Sequence, residues 1–359
     1  MEALSRRDRE VAAFLSLERT PGLGVRGIRK LWEEHGSGRA ALKAIGRAPP
    51  RRRSFEILRE ARRLRLDVMP LGDPSYPRSL LDLRDPPPVL FAPVGLLPMP
   101  ALSIAVVGTR RSTPYGRGMA RRIAGELAGH GWCVVSGMAA GIDAVAHEAV
   151  LDAGGVTLGV LGTGHRHSYP PTNRRLYARM RQRGWLVSEF EPSEGPSRAA
   201  FPRRNRIIAA LARAVVVVEA GERSGALNTA THALDLGRPV LAVPARDGDP
   251  KGLGTVRLLR DGASCVTCAV DVFRALDIDL FDPSVAPPPR TGGGGEDGWA
   301  LSGLSDGMCT ASDLAWAASR PVSEAVTALG RLEIDGRVGR TADGRYYRRD
   351  PVPRGTRRS

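Results

Sequence analysis

Three arginines crowd the start of an apolar helix pattern in Ala200-Phe201-Pro202-Arg203-Arg204-Asn205-Arg206-Ile207-Ile208-Ala209-Ala210-Leu211. Pro202 sits where a helix can begin, because its missing N–H has no intrahelical partner there. The first turn of such a helix points free N–H groups outward and carries the positive end of the dipole, so it draws anions. Arg203, Arg204 and Arg206, with Asn205 between them, then make a phosphate site. The simpler alternative is an exposed basic helix start on an arginine-rich chain.

The surrounding pattern favours phosphate. Ala214 to Val218 is a β-branched run fit for a strand buried on both faces of a parallel sheet. It ends at Glu219-Ala220-Gly221, and Ser224-Gly225-Ala226-Leu227-Asn228-Thr229-Ala230 opens another helix. A strand, a small-residue loop and a helix start form the usual ligand-facing edge of an open α/β sheet. Arg110 and Arg111 follow the earlier strand Leu102 to Gly108 at that same edge, so they should face one crevice with the arginines of the 200–211 helix. Arginine suits forked phosphate contacts and stacking on bases. Several such groups together point to a polyanion.

Composition agrees. The 359 residues leave room for two or three domains, and the net charge of +15 favours a polyanionic partner. Lysine occurs only at Lys30, Lys43 and Lys251, a bias that explains the choice of arginine but not the positive surplus. That surplus lies in residues 1–280; the remainder is close to neutral. Cys133, Cys265, Cys268 and Cys309 make no disulfide framework, and Cys265-Val-Thr-Cys268 lacks the second ligand pair that zinc requires. No apolar run reaches membrane-spanning length, so a cytoplasmic protein is expected.

Read in order, residues 1–70 form a helical domain. Its Thr20-Pro21-Gly22-Leu23-Gly24 is either a helix-hairpin-helix turn, with glycine N–H groups against a phosphate, or the tight turn of a small bundle, the preferred reading. Arg51-Arg52-Arg53 reads as a solvated loop. Residues 71–100 form a proline-punctuated extended connector. Residues 101–280 alternate strands (Leu102–Gly108, Trp132–Ser136, Val156–Leu161, Trp185–Ser188, Ala214–Val218, Pro239–Val243, Ala263–Val266) with helices. The pattern is a doubly wound, mostly parallel, Rossmann-like sheet. A Pro- and Gly-rich linker is expected over 281–298, a winged helix over 299–350, and a basic tail over 351–359. The winged helix carries Glu324 and Glu333 against a single Arg331 on its second helix, which favours a protein partner over a DNA groove.

Other chemistry fits less well. Gly108-Thr109-Arg110-Arg111 is not a dinucleotide fingerprint, and the second strand ends at Ser136-Gly137 where a ribose-binding acid would stand. Gly162-Thr163-Gly164 can let a backbone approach a phosphate or base. Asp143 and His147, four apart, read as a hydrogen-bonded pair that orients the Ser136-Gly137 loop, since no nucleophile or metal ligand accompanies them.

Taken together, the motifs from Ile104 to Val266 resemble the DNA-processing protein A (DprA/Smf) family. They are Val-Val-Gly-Thr-Arg-Arg with Tyr115-Gly116, Ser136-Gly137-Met-Ala-Ala-Gly141-Ile142-Asp143, Tyr169-Pro170, Ser188-Glu189, Phe201-Pro202-x-Arg204-Asn205-Arg206, Val218-Glu219-Ala220 with Ser224-Gly225-Ala226, and Gly237-Arg238-Pro-Val. The flanks are similar to that family's helical SAM-like and winged-helix domains. The resemblance implies a non-enzymatic single-stranded DNA-binding protein that protects incoming DNA, loads RecA recombinase in transformation or recombination, and dimerises around Val256 to Ala263. It implies that Arg110, Arg204 and Arg206 hold the strand and that Gly108, Ser136, Gly137 and Ser224 line the pocket. Arg111, Gly164, Arg203, Asn205 and Gly225 complete the expected DNA-binding set, and neither cofactor nor metal is implied. Ala140 stands where many relatives are basic, Pro244-Ala245 replaces Pro-Gly, and Gly254-Thr255 replaces Gly-x-Asn. The fold also looks like that of nucleoside-monophosphate phosphoribohydrolases, but their Pro-Gly-Gly-x-Gly-Thr run is replaced by Glu222-Arg-Ser224-Gly-Ala. Release of free base from a nucleotide would mark that alternative.

Overall fold

The computed structural model describes residues 5–46, 52–95, 102–246, 248–278, 297–304, 310–318, 320, 322–334, 336–341 and 344–348. Met1–Asp279 form one compact unit and Leu280–Ser359 a second. Of the expected linker 281–298 only 297 and 298 are among the described residues; Arg51, Cys309 and the tail 351–359 lie outside them.

The first unit begins with four helices, α1 (Arg6–Glu18), α2 (Val25–His35), α3 (Gly38–Ala44) and α4 (Arg52–Arg63). Ser5 caps α1, with the Asp8 carboxylate returning to the Ser5 N–H, so two otherwise unpaired donors are satisfied at once. Between α1 and α2 the chain turns at Gly22, whose φ of +79° only glycine adopts without strain. The segment expected as an extended connector holds more structure than that. Strand β1 (Leu66–Pro70) pairs antiparallel with β2 (Val89–Pro93), and a 3-10 turn at Arg78–Asp82 joins them. Arg7 on α1 ties the hairpin down through Asp67 at 2.9 Å and Asp73 at 2.7 Å.

The apolar runs of the middle of the chain become β3 (Ser103–Val107), β4 (Cys133–Ser136), β5 (Thr157–Val160), β6 (Trp185–Val187), β7 (Ala214–Val217), β8 (Val240–Ala242) and β9 (Ser264–Cys265). Helices α5 (Pro114–Gly129), α6 (Ile142–Asp152), α7 (Arg174–Arg183), α8 (Ala200–Leu211), α9 (Gly225–Asp235) and α10 (Leu253–Arg260) connect them, and α11 (Ala269–Ala275) follows β9. All seven strands are parallel, in the order β6-β5-β4-β3-β7-β8-β9. The chain winds outward from β3 to β6 and then returns to β7 on the other side of β3. With right-handed crossovers, α5, α6 and α7 therefore cover one face while α8 and α9 cover the other.

Phe91 of β2 bonds Ser188 beyond β6 in both directions, N to O at 2.8 and 2.9 Å, so the N-terminal hairpin covers the outer edge of the sheet. Leu15, Leu17, Ile57, Leu90, Val187, Ile207 and Val215 belong to one continuous buried core. The N-terminal helices and the sheet consequently fold as one unit.

In the second unit, α12 (Gly298–Gly303), α13 (Ala311–Ala317) and α14 (Val322–Ile334) precede an antiparallel hairpin of β10 (Val338–Arg340) and β11 (Tyr346–Arg348). Leu301, Leu314, Leu329, Leu332 and Val338 form its separate core. Among the described residues no helix is long and apolar enough to cross a membrane.

The last residue of α1, Glu18, sits where the helical part meets the loop after β6. Burial pushes its carboxyl up to about 8 despite Arg203, with Glu189 adding to the rise. A carboxyl raised in the fold binds its proton more tightly there than in the unfolded chain, so stability is greatest at low pH on this account. It should fall as pH rises from 4.5 to about 8. Glu18→Gln is expected to remove that portion of the slope and to raise the urea midpoint at the upper end of the window. Parallel midpoint curves for the two proteins would contradict this.

Candidate nucleic-acid interface

Loops at the carboxyl ends of β3, β4 and β5 meet the first turn of α8 around a pocket. Arg110, Gly137, Ala139, Ala140, Gly162, Thr163, Tyr169, Pro170, Phe201 and Arg204 line it. Its wall is an aromatic pair: Phe201 stacks on Tyr169 with ring centroids 5.2 Å apart and planes 29° from parallel. The Arg110 guanidinium lies over the Phe201 ring at 5.2 Å. Arg110 is exposed and makes no ion pair among the described residues, so its donors are free. A Cβ on Gly162 would sit 2.7 Å from the Phe201 ring, so only glycine lets that ring settle beside β5. The Thr163 hydroxyl is buried there without a hydrogen-bond partner among the described residues.

Arg204 forms part of the floor. It is 3% exposed, and its guanidinium donates to the carbonyls of Gly137 and Val160, the first in the loop after β4 and the second at the end of β5. Burial lowers its pKa while the nearby Asp143 carboxylate opposes the shift. Asp143 accepts from the N–H of Gly137 at 3.1 Å and of Ala139 at 3.4 Å. Asn173 donates to the carbonyls of Met138 and Ala139 at 3.0 and 3.1 Å. Three side chains thus clamp four residues whose backbone includes Met138 at φ +57°, a conformation rare outside glycine. The expected Asp143–His147 pair does not form. Asp143 does orient the loop, but His147 Nδ1 meets Thr157 Oγ1 at 2.6 Å, and burial lowers the imidazole to about 3, leaving it neutral.

Arg206 requires the larger correction. Expected to hold phosphate, it is buried and makes a forked pair with Glu189 at 2.9 and 2.8 Å, while its Nε lies 3.2 Å from the Asp85 carboxylate. It joins α8 to the loop after β6 and to the segment leading into β2. Arg203 stays half-exposed, paired with Glu189 at 2.8 Å and lying 5.4 Å over the Phe190 ring. Asn205 donates to the Gly225 carbonyl and to Asn228, both at 3.2 Å, which fixes α8 against α9.

Other expected contacts also turn inward. Ser136 is fully buried and donates to the Val106 carbonyl at 2.7 Å. Gly164 is buried, and a Cβ there would strike the Glu191 and Pro192 carbonyls. Gly108 packs against Ile142, which a Cβ would meet within 2.8 Å. Ser224 caps α9 by accepting from Ala226 N at 3.3 Å, and Gly225 is exposed beside it. Arg111 is exposed, with no ion pair among the described residues.

The crevice between β3 and β7, where the winding direction reverses, is filled. Glu219 is buried and accepts from Thr113 Oγ1 at 2.8 Å and Thr113 N at 3.0 Å; Thr113 in turn caps α5 by accepting from Gly116 N. The open pocket therefore lies beside that switch point, over β3 to β5. Tyr169, Phe201, Thr163 and Asn173 escaped the residue-by-residue reading. Aromatic residues flanking a Gly-x-Gly turn and the arginine helix were the available signal for the first two.

The sequence profile described as DNA recombination-mediator protein A matches residues 67–277, a span that holds every residue of this pocket. The chain belongs to that family. It is 39% identical to DNA processing protein DprA of Bacillus subtilis over 221 residues, covering 61% of this chain and 74% of the relative. It is 37% identical to Protein Smf of Escherichia coli over 284 residues, covering 77% and 76%. Among solved structures, DprA of Streptococcus pneumoniae aligns with a TM-score of 0.56 at 31% identity, covering 74% of this chain and 92% of that one. DprA of Helicobacter pylori, whose structure is described as showing a unique single-stranded DNA binding mode, aligns at 0.53 with 30% identity over 60% of this chain and 97% of that one.

The split between buried and exposed arginines is measurable. Arg206→Met leaves Glu189 buried without its forked partner and should cost roughly 3–5 kcal/mol of unfolding free energy. Arg110→Ala should stay within about 0.5 kcal/mol of the parent in the same denaturation experiment. Equal losses in the two variants would mean that the division is wrong.

Proposed function

We propose that this chain binds single-stranded DNA at the pocket beside β3, β4 and β5, as a DNA-processing protein of recombination. One observation carries the reading: an unpaired, exposed guanidinium, Arg110, lies over the Phe201–Tyr169 stack at the rim of the pocket. Bases stack on such rings whatever their sequence, and a free guanidinium beside them takes the adjoining phosphate. The start of α8 faces the same edge, where the first N–H groups of a helix favour anions. The acids of the crevice support binding over bond cleavage, because Glu219 is held by Thr113 and Asp143 by backbone N–H groups.

In this reading Arg110 and Arg111 contact the strand, and Arg204 supports the floor from beneath. Family membership extends the proposal to protection of incoming strands and loading of RecA recombinase, to a cytoplasmic protein, and to a homodimer formed through the region Val256 to Ala263. Just before that region Leu253 is 46% exposed at the start of α10, and just after it β9 is the last strand of the sheet. The second unit is assigned as a winged helix that binds protein: α14 exposes Val322, Val326 and Ile334 together with Glu324 and Glu333. Acidic groups on that helix would repel a DNA backbone.

Fluorescence anisotropy of a labelled oligo-dT strand across a salt series tests the core of this. Wild type should bind, and Arg110→Ala should reduce the salt slope by about 0.7, the single-strand value for one phosphate. Phe201→Leu should weaken binding by roughly 1–3 kcal/mol with little change in slope. Exposed Arg63 on α4 serves as a control and should be neutral on substitution. Absence of binding by wild type, or equal affinity and slope in all variants, would refute the proposal.

A further inference from the structure

A second cation–aromatic pair stands on the same edge of the sheet, away from the pocket. Tyr115, in the first turn of α5, donates its hydroxyl to the Pro244 carbonyl beyond β8 at 2.9 Å. That bond holds the loop so that the exposed Arg246 guanidinium lies 5.2 Å over the Tyr115 ring. Arg246 makes no hydrogen bond or ion pair through its side chain with any described residue. The arrangement repeats Arg110 over Phe201: an aromatic ring, a free guanidinium, and a position at the carboxyl end of the sheet.

The strand order places basic groups between the two pairs. β3, β7 and β8 are neighbours, and the loops at their carboxyl ends carry Arg110 and Arg111, then Arg223, then Arg246. Arg223 is exposed and likewise unpaired among the described residues. The acid that would interrupt this row, Glu219, is buried under Thr113. Among the described residues of this row, Glu222 is exposed and Asp249 half-buried, accepting from the Lys251 N–H, against four arginines; Asp247 lies outside the described residues. From β5, which flanks the pocket, to β8 is four strand spacings, or about 19 Å at ~4.8 Å each. That distance accommodates some five nucleotides at a stacked spacing of about 3.4 Å.

We propose that Tyr115 and Arg246 form a second nucleotide-stacking subsite, so that one single strand runs along the carboxyl edge from the Phe201–Tyr169 pocket across β3 and β7 to β8. The subsite rests on the single-strand reading of the pocket and extends it in a direction set by the sheet. It takes a base on the Tyr115 face and the adjoining phosphate on Arg246. Ala245, whose Cβ narrows its backbone freedom relative to glycine, carries Arg246.

Length dependence separates the two subsites. Arg246→Ala and Tyr115→Leu should each weaken (dT)12 by about fivefold while leaving (dT)3, which cannot reach both sites, unchanged. Tyr115→Phe keeps the ring but loses the bond to the Pro244 carbonyl, so its affinity for (dT)12 should fall between those of wild type and Tyr115→Leu. Arg110→Ala should weaken both lengths. Ultraviolet crosslinking of a 12-mer carrying 5-bromodeoxyuridine at every third position should label the Tyr115 peptide as well as the Tyr169 peptide. If Arg110→Ala weakens (dT)12 but Arg246→Ala and Tyr115→Leu do not, and no label reaches Tyr115, the second subsite is wrong and the pocket stands. If wild type binds neither oligonucleotide, the single-strand reading itself fails.

Discussion

A buried guanidinium governs this structure. Arg204 lies beneath the pocket, and a charge removed from water must find fixed partners or cost several kcal/mol. It finds the carbonyls of Gly137 and Val160, with Asp143 close by. Those bonds constrain the loop after β4 to one path, because Asp143 holds the N–H groups of Gly137 and Ala139 on either side of the Gly137 carbonyl that Arg204 binds. Gly137 is required there: a Cβ would collide with the Arg204 guanidinium. The pocket is thus a shape enforced by charge satisfaction, and the rings and free arginine at its rim are arranged on that rigid base.

A second buried network does the same for the whole first unit. Arg206 is forked on Glu189 and near Asp85, so α8, the loop after β6 and the segment leading to β2 share one charge centre. Arg19 and Arg53 from the N-terminal helices reach Glu191 two residues farther on. The helical part is therefore fastened beside the helix that supplies Phe201. Two of the three arginines in that helix serve architecture, and the third, Arg203, is shared between Glu189 and solvent.

The sheet was legible because its strands are short apolar runs bounded by Gly, Pro and polar turns, which only a buried parallel sheet accommodates. The direction of each arginine was harder to read, although the spacing held a clue. Ala200, Arg204, Ile207, Ile208 and Leu211 fall on one helical stripe, which places Arg204 on the apolar face. Arg206 gave no comparable sign, since its burial depends on Glu189 and Asp85, which lie far from it in the chain. β1 and β2 were missed for a similar reason: their pairing spans a proline-rich stretch that reads locally as extended. The filling of the β3–β7 crevice depends on Thr113 meeting Glu219, a contact between residues 106 apart.

The most direct test of this division of labour is arginine modification by phenylglyoxal, mapped by peptide mass spectrometry with and without oligo-dT. The account predicts that Arg110 reacts in the free protein and is protected by the strand, whereas Arg204 and Arg206 stay unmodified in both conditions. Modification of Arg206 in the free protein, protected by DNA while Arg110 is indifferent, would contradict it.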